Sequence, residues 1–338
     1  MPASKDILVA VRNLCVNYNT RLGQVSAIDD VSFDIYRGEI LGLVGESGCG
    51  KSTLGKALLR MLPPNSQIAN GQIIFQGGDI MTYDDKQIRD FRGRVASMIF
   101  QDPMTSLNPV QRIDEHLVEA IQVHEPDTKK ENALKRITAL VERLGIQQRR
   151  LTDYPHQLSG GMRQRVMIGL GLVLNASLII ADEATTSLDV IVEAKLVDQL
   201  REIREEFGVT ILLITHNIAL VAEIADRVAV MYAGKIVEIG SCDTIFYDSL
   251  HPYTQGLMLS VPSIRLDQHE VLYKMPGEPP NLTHPPSGCR FHPRCPYAMG
   301  LCSRQEPGFL EVAPQRWVHC WLYQDHPEKE RETIKVPS

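Results

Sequence analysis

Residues 45–52 read GESGCGKS and match the phosphate-binding pattern G-x-x-x-x-G-K-[ST]. In this pattern glycines let backbone N–H groups curl around phosphate oxygens, a lysine reaches the β- and γ-phosphates, and a hydroxyl ligates magnesium. The pattern predicts a nucleotide site with Lys51 on the terminal phosphates and Ser52 on Mg²⁺. We expect the site to be lined by Gly45, Glu46, Ser47, Gly48, Cys49, Gly50, Lys51, Ser52 and Thr53.

The flanks of this glycine loop favour the same interpretation. EILGLVG before it is a short apolar run typical of a buried strand, and STLGKALLRML after it carries apolar residues at helical spacing up to Pro63. Strand, loop and helix in this order aim a helix N-terminus at an anion. A glycine-rich turn without function is the weaker alternative.

An acidic pair ends the apolar run LIIADE. A buried strand would deliver Asp182 to the metal at its carboxyl end, and Glu183 would lie where a carboxylate can orient and deprotonate water. Such a pair is weak evidence alone, because strands often end in Asp or Glu for capping or solubility. Together with the glycine loop, it predicts a second ligand for Mg²⁺ and a general base.

A second glycine turn, LSGGMRQR, opens an apolar helix. Ser159 and the amides of Gly160 and Gly161 would form another anion site at a helix N-terminus. One phosphate loop has no obvious use for two phosphate cradles, so this turn requires a further explanation.

Four cysteines cluster near the end of the chain, separated by five, six and seventeen residues: Cys289, Cys295, Cys302 and Cys320. In a reducing compartment such a cluster indicates metal or catalysis more often than disulfides. The spacing differs from the paired C-x₂-C of structural zinc sites, yet four thiolates suit zinc and a 4Fe-4S cluster alike. His292 and His319 are alternative ligands.

Composition excludes several classes of protein. The 338 residues are 43% hydrophobic and carry a formal net charge of -6, which gives no general attraction to nucleic acid. The N-terminal apolar run of residues 7–11 is too short for a signal peptide, and the longest apolar stretch, residues 166–181, is interrupted by Asn175 and Ser177. We therefore expect a cytoplasmic protein without nucleic-acid partners.

The pattern of elements changes near residue 250. Before it, strand-like and helix-like runs alternate, which predicts an α/β fold with a largely parallel sheet and an inserted helical subdomain at about residues 103–165. After it, prolines crowd and periodicity fades. We expect a nucleotide-binding domain at residues 1–250 and a small, irregular C-terminal domain, stapled by metal, at residues 251–338.

The order of these motifs resembles the nucleotide-binding subunit of an ATP-binding cassette (ABC) transporter, a P-loop NTPase. In that family the LSGG turn of one subunit closes over ATP held by the glycine loop of another, which explains the second cradle. The resemblance implies that Tyr18 stacks on adenine and that Gln101 senses the γ-phosphate and Mg²⁺. It also implies that Glu183 is the general base and His216 the switch histidine at the γ-phosphate.

FQDPMTSLNP, HPYTQGLM and PPSGCRFHPRCPYA are similar to the ATP-binding subunits of oligopeptide and dipeptide importers, a group that includes nickel systems. The resemblance implies ATP hydrolysis at the cytoplasmic face of the inner membrane, in a dimer with itself or a homologous ATPase. Two permease subunits and an external peptide-binding protein would complete the importer. Similar tails carry a 4Fe-4S cluster, with Zn²⁺ the alternative. Uptake of nickel or another small solute, and a soluble ABC ATPase outside transport, are the competing functions.

Overall fold

The computed structural model describes residues 6–21, 23–99, 107–182, 190–260 and 275–324, with residues 190–197 described by their backbone alone. Twelve strands lie in these residues, in two sheets. In chain order they are β1 (Ile7–Thr20), β2 (Gly23–Tyr36), β3 (Ile40–Val44), β4 (Ser66–Phe75), β5 (Gly78–Asp79), β6 (Ala96–Ile99), β7 (Leu178–Asp182), β8 (Thr210–Ile214), β9 (Arg227–Tyr232), β10 (Lys235–Ser241), β11 (Leu310–Ala313) and β12 (Arg316–Val318).

The larger sheet has the strand order β11-β12-β10-β9-β3-β8-β7-β6. Its centre, from β9 to β6, is parallel, whereas β10, β12 and β11 run antiparallel. Every residue of β3, β7, β8 and β9 is buried, which explains why these strands are continuous apolar runs rather than alternating ones. The smaller sheet, β2-β1-β4-β5, is antiparallel. The α/β architecture predicted from the sequence is confirmed.

The described helices are α1 (Lys51–Leu58), α2 (Asp85–Arg94), α3 (Ile113–His124), α4 (Lys130–Arg143), α5 (Gly160–Leu172), α6 (Val190–Phe207), α7 (Ile218–Ile224), α8 (Cys242–Tyr247), α9 (Pro252–Leu259) and α10 (Gly300–Arg304). β7, α6 and β8 follow one another along the chain, and β7 and β8 pair in parallel with Asp182 beside Ile214. None of these helices is long and apolar enough to cross a bilayer within the described ranges.

Residues 107–172 form helices and short 3-10 turns only. Helices α3, α4 and α5 pack around buried side chains that belong to the core beneath the larger sheet, among them Leu117, Ile137, Val141 and Val166. The described part of this segment is therefore largely helical.

The described parts of the C-terminal region, residues 251–260 and 275–324, are less irregular than the sequence suggests. β12 pairs with β10, with Glu238 opposite Val318, and β11 pairs with β12. The His319 N–H also donates to the Val237 carbonyl at 2.8 Å. Strand pairing therefore joins this region to the sheet that carries the nucleotide loop. The strands escaped the sequence analysis because they are only four and three residues long and lack clear alternation.

Candidate nucleotide site and thiol cavity

The glycine loop, residues 45–52, connects β3 to α1 in a conformation that requires glycine. Gly45, Gly48 and Gly50 have φ values of 153°, 79° and 111°. A Cβ on Gly45 would lie 2.1 Å from the Met231 carbonyl oxygen, and one on Gly50 would lie 2.5 Å from that of Ala27. The loop is thus pressed against neighbouring backbone, with the N-terminus of α1 behind it.

Lys51 is held inside this loop. Its side chain is buried, and its Nζ donates to the carbonyl oxygens of Gly45 at 2.8 Å and Glu46 at 3.0 Å. The loop therefore keeps the ammonium group at its own centre, where it can transfer from carbonyl oxygens to phosphate oxygens.

Ser52 and Asp182 meet although 130 residues separate them. Ser52 Oγ donates to Asp182 Oδ1 at 2.8 Å, and Asp182 is buried. The parallel order β3-β8-β7 brings the loop after β3 and the end of β7 to one edge of the sheet. A hydroxyl and a carboxylate oxygen are hard ligands of the kind that Mg²⁺ prefers, so the predicted metal ligands fit the ion.

Two more predicted residues lie at this edge. His216 is exposed and follows β8 by two residues. Tyr18 is half-buried, and its hydroxyl lies 3.2 Å from Thr53 Oγ1 on α1. The structure therefore places Tyr18 beside the loop. Gln101 and Glu183 lie outside the described residues.

The LSGG turn faces open space. Ser159 caps α5 by accepting from the Met162 N–H at 3.4 Å. Added Cβ atoms on Gly160 and Gly161 would meet nothing within 4 Å. The first amides of α5 are accordingly accessible to an anion from another molecule.

The four clustered cysteines line one apolar cavity in the C-terminal region, which we call the thiol cavity. Its wall contains Cys289, Cys295, Cys302 and Cys320 together with His251 and His292. Within the described ranges, no group of three or more His, Cys, Asp or Glu side chains has the geometry to hold a single metal ion. The sulfurs thus surround a shared space without converging on one point.

Burial dominates the electrostatics of these thiols. It raises the pKa of Cys289 to about 11 and that of Cys295 to about 12, and it raises the pKa of Cys320 well above its usual value. The neighbouring thiols raise the pKa of Cys320 further. The unliganded thiols of Cys289, Cys295 and Cys320 are therefore neutral at physiological pH.

Backbone amides oppose this effect by donating hydrogen bonds to the sulfur atoms. The donors are Phe291 and His292 to Cys289, Tyr297 to Cys295, and Leu322 to Cys320. Hydrogen bonds of this kind favour the charged thiolate, the form that binds metals. The cavity therefore combines thiols with amides placed to stabilise thiolates.

Of the three histidines His251, His292 and His319, the first two line the thiol cavity and the third does not. His292 lines the thiol cavity, and its Nδ1 lies 2.9 Å from the Cys289 carbonyl oxygen. His319, the other predicted alternative ligand, pairs with Glu306 at 3.4 Å. His251, which the sequence analysis missed, lines the cavity and is fully buried. Burial and then His319 lower the pKa of His251 to about 3, so its ring is neutral.

The C-terminal region also reaches the glycine loop, a contact that no sequence motif indicates. Arg294 forms two hydrogen bonds with the Glu46 carboxylate, at 2.8 and 3.0 Å. The Tyr253 hydroxyl accepts from the Glu46 N–H at 2.9 Å. The nucleotide site and the thiol cavity are therefore neighbours.

Comparisons with known proteins agree with this geometry. Residues 28–186 match the family model for the ABC transporter, and residues 237–302 match that for the oligopeptide/dipeptide transporter C-terminal region. An ATP-binding cassette in a dimeric post-hydrolysis state bound to ADP and Pi is similar, with a TM-score of 0.61 and 25% identity over 69% of this chain and 98% of that chain. The structure of cbiO1 from Clostridium perfringens is also similar, with a TM-score of 0.63 and 29% identity over 72% of this chain and 92% of that chain. The fold and site define an ABC-type nucleotide-binding domain.

Proteins with similar sequences show which family of ABC-type ATP-binding proteins includes this chain. The dipeptide transport ATP-binding protein DppD of Bacillus subtilis (strain 168) is 44% identical over 95% of this chain and 96% of its own. The oligopeptide transport ATP-binding protein OppD of Escherichia coli (strain K12) is 43% identical over 94% of this chain and 93% of its own. The chain belongs to the family of ATP-binding proteins of oligopeptide and dipeptide ABC transporters. This membership confirms the ATPase function in a peptide importer that the motifs predict.

Proposed function

We propose that the chain binds and hydrolyses MgATP at residues 45–52 and thereby powers the uptake of dipeptides or oligopeptides. One observation carries this assignment: Ser52 and Asp182 are hydrogen-bonded at the sheet edge where the loop holds Lys51. A phosphate cradle, an ammonium group and two metal ligands are the parts that phosphoryl transfer to water requires.

We assign each predicted residue a role in this reaction. Lys51 contacts the β- and γ-phosphates, Ser52 and Asp182 ligate Mg²⁺ with Gln101, and Tyr18 stacks on adenine. Glu183 deprotonates the attacking water, and His216 contacts the γ-phosphate. Hydrolysis is then mainly positioning and charge neutralisation, since the loose transition state demands little covalent chemistry from the protein.

The active unit is a dimer in which the LSGG turn of each subunit closes the nucleotide site of the other. The open space around Gly160 and Gly161 supports this arrangement, because these amides lack a cover within the described chain. The similar cassette bound to ADP and Pi is itself described as dimeric. The partner is a second copy or a homologous ATPase.

Two permease subunits receive the mechanical output at the cytoplasmic face of the inner membrane, and an external binding protein supplies peptide. The helical segment offers a docking surface near its exposed apolar residues, Val110 at 79% and Val123 at 55% exposure. This peripheral location follows from the family and from the coupling of hydrolysis to transport.

Glu183→Gln tests the catalytic assignment. The variant should bind MgATP as the wild type does and lose hydrolysis about 10²- to 10⁴-fold, because only the water-activating carboxylate is removed. Turnover in the assembled transporter and binding of a fluorescent ATP analogue separate the two effects. Turnover within threefold of the wild type would remove Glu183 from this role.

We also propose that the thiol cavity holds a 4Fe-4S cluster, with Cys289, Cys295, Cys302 and Cys320 as its ligands. Four sulfurs around a shared apolar space, with amides donating to three of them, suit a cluster. Sulfurs on a single Zn²⁺ would have to converge to about 3.8 Å, given Zn–S bonds of about 2.3 Å. When bound, the cluster would cross-link the proline-rich region, for which burial alone offers a small core.

Metal analysis of anaerobically purified protein tests this assignment. About four iron and four sulfide per chain are expected, with the absorbance of an iron–sulfur protein. One tightly bound zinc without iron, in protein never exposed to oxygen or chelator, would contradict it. The Cys242→Ser variant is a matched control, because this half-buried thiol lies outside the cavity and should leave the iron content unchanged.

A further inference from the structure

Glu46 places a carboxylate in the phosphate-binding loop. It is the only acidic residue among residues 45–52, and it directly follows the first glycine of the pattern. A carboxylate beside a triphosphate is repelled by it, because both carry negative charge and the low dielectric of a protein surface strengthens the repulsion. The loop must therefore neutralise this charge if it is to bind ATP well.

Arg294 supplies the neutralising charge from the C-terminal region, 248 positions away. Its Nη1 and Nη2 donate to Glu46 Oε2 and Oε1 at 2.8 and 3.0 Å, in the two-pronged geometry that suits a guanidinium and a carboxylate. The Arg294 side chain is only 6% exposed and that of Glu46 is 25% exposed, so solvent screens the pair weakly.

The Arg294 guanidinium group makes two further hydrogen bonds. Nε donates to the Pro276 carbonyl oxygen at 2.9 Å, and Nη1 also lies 3.4 Å from the Tyr232 hydroxyl. Burial opposes the charged form of Arg294, but the hydrogen bonds to Glu46 and Tyr232 outweigh it and raise the pKa above its usual value. The arginine is therefore a permanent cation held in one orientation.

A second contact holds the main chain of the same residue. The Tyr253 hydroxyl accepts from the Glu46 N–H at 2.9 Å, and its ring packs against Tyr232 and Phe291 with centroids 4.5 and 5.5 Å apart. Both the amide and the carboxylate of Glu46 are thus held by the C-terminal region.

We propose that Arg294 and Tyr253 are positioning residues for ATP binding, through which the C-terminal region completes the phosphate loop and sets its affinity for MgATP. Arg294 cancels the charge of Glu46, and Tyr253 fixes the backbone at the mouth of the loop. The inference rests on the proposed assignment of residues 45–52 as the ATP site.

A double-mutant cycle on the full chain tests the proposal, with the Kd of a fluorescent MgATP analogue as the readout. Arg294→Gln should raise the Kd about three- to tenfold, because it leaves the Glu46 carboxylate unpaired beside the phosphates. Glu46→Gln should lower the Kd, because it removes the carboxylate that repels the phosphates. In the double variant the Kd should return to within twofold of the wild-type value. In the assembled transporter, Arg294→Gln should raise the KM for ATP and leave kcat within twofold.

Arg316→Gln is the matched control. Arg316 also lies in the C-terminal region and is paired with Asp248, away from the loop, so its loss should leave the Kd unchanged. If Arg294→Gln does not fold, Arg294→Lys, which keeps the charge and loses the fork, should give a smaller rise that Glu46→Gln again removes.

Two results would overturn the proposal. One is a Kd for Arg294→Gln within twofold of the wild type. The other is an equal loss of affinity with and without Glu46→Gln, which would mean that Arg294 acts through general stability. If the wild type itself binds no MgATP, the assignment of the nucleotide site is wrong instead, so the two failures are distinguishable.

Discussion

The nucleotide site is formed by polar and charged groups, whereas the thiol cavity is formed by thiols and apolar side chains. The glycine loop presents backbone amides and a lysine, and the side chains of Lys51 and Ser52 already have hydrogen-bond partners in the loop and at the sheet edge. The thiol cavity presents thiols and the neutral imidazole of His251 in apolar surroundings. The nucleotide site is preformed and needs only its ligand, whereas the thiols of the cavity must lose their protons before they can bind metal.

This difference shows how the two sites can influence each other. The loop is rigid because strands β3 and β9 and the glycine backbone fix it, with the Met231 carbonyl pressed against Gly45. The cavity wall depends on turns and on whatever the thiols bind. Arg294 lies in the 3-10 turn His292–Arg294, directly before Cys295, and at the same time holds Glu46. A change in the thiol cavity would therefore alter the affinity of the glycine loop for MgATP without abolishing the nucleotide site.

The largest effect should follow from breaking the polar site itself. Lys51→Ala should raise the Kd for MgATP about 10- to 100-fold, since it removes charge-assisted hydrogen bonds to phosphate. Iron bound by the thiol cavity should be unchanged. Titration with a fluorescent ATP analogue and iron analysis of the same sample measure both. Lys56→Ala, on the same helix, is the control, and a Kd unchanged by Lys51→Ala would refute the predicted role of this lysine.

A smaller effect on ATP should follow from breaking the thiol cavity. Cys302→Ser should expose the C-terminal region to limited proteolysis, because it would remove one ligand of the proposed cluster. MgATP binding should survive with a Kd raised no more than by Arg294→Gln, about three- to tenfold, since only the contact with Glu46 is disturbed. Complete loss of ATP binding in a folded variant would show that the two sites are not separate.

The smallest effect should come from acid. Burial raises the pKa of Glu306, but hydrogen bonds from His319 and Lys235 outweigh it and lower the pKa to about 2. A carboxylate with a lowered folded pKa stabilises the fold above its usual pKa of about 4.5 and loses that contribution as the pH falls toward 2. The C-terminal region should therefore be more sensitive to protease at pH 4 than at pH 6. Glu306→Gln should reduce this difference, and an identical pH dependence in the variant would argue against the role of Glu306.

The prediction of the polar site relied mainly on residues that are local in the sequence. Eight consecutive positions form the loop, and short buried strands bring Asp182 and His216 to it in an order that parallel topology dictates. The four cysteines predicted a metal site; they share one cavity, but within the described ranges no group of three or more His, Cys, Asp or Glu side chains could hold a metal ion. The contact between Glu46 and Arg294 could not be predicted, since it joins residues 248 positions apart through tertiary packing. The same holds for His251, which reaches the thiols only after the region folds onto the sheet.

Uptake of a labelled dipeptide into vesicles that contain the complete transporter tests the central claim most directly. We predict that uptake requires MgATP on the side that exposes this chain and falls at least tenfold with Lys51→Ala, while the complex still assembles. Uptake that proceeds at the wild-type rate with Lys51→Ala, or without ATP, would contradict the claim that nucleotide bound at residues 45–52 powers peptide import.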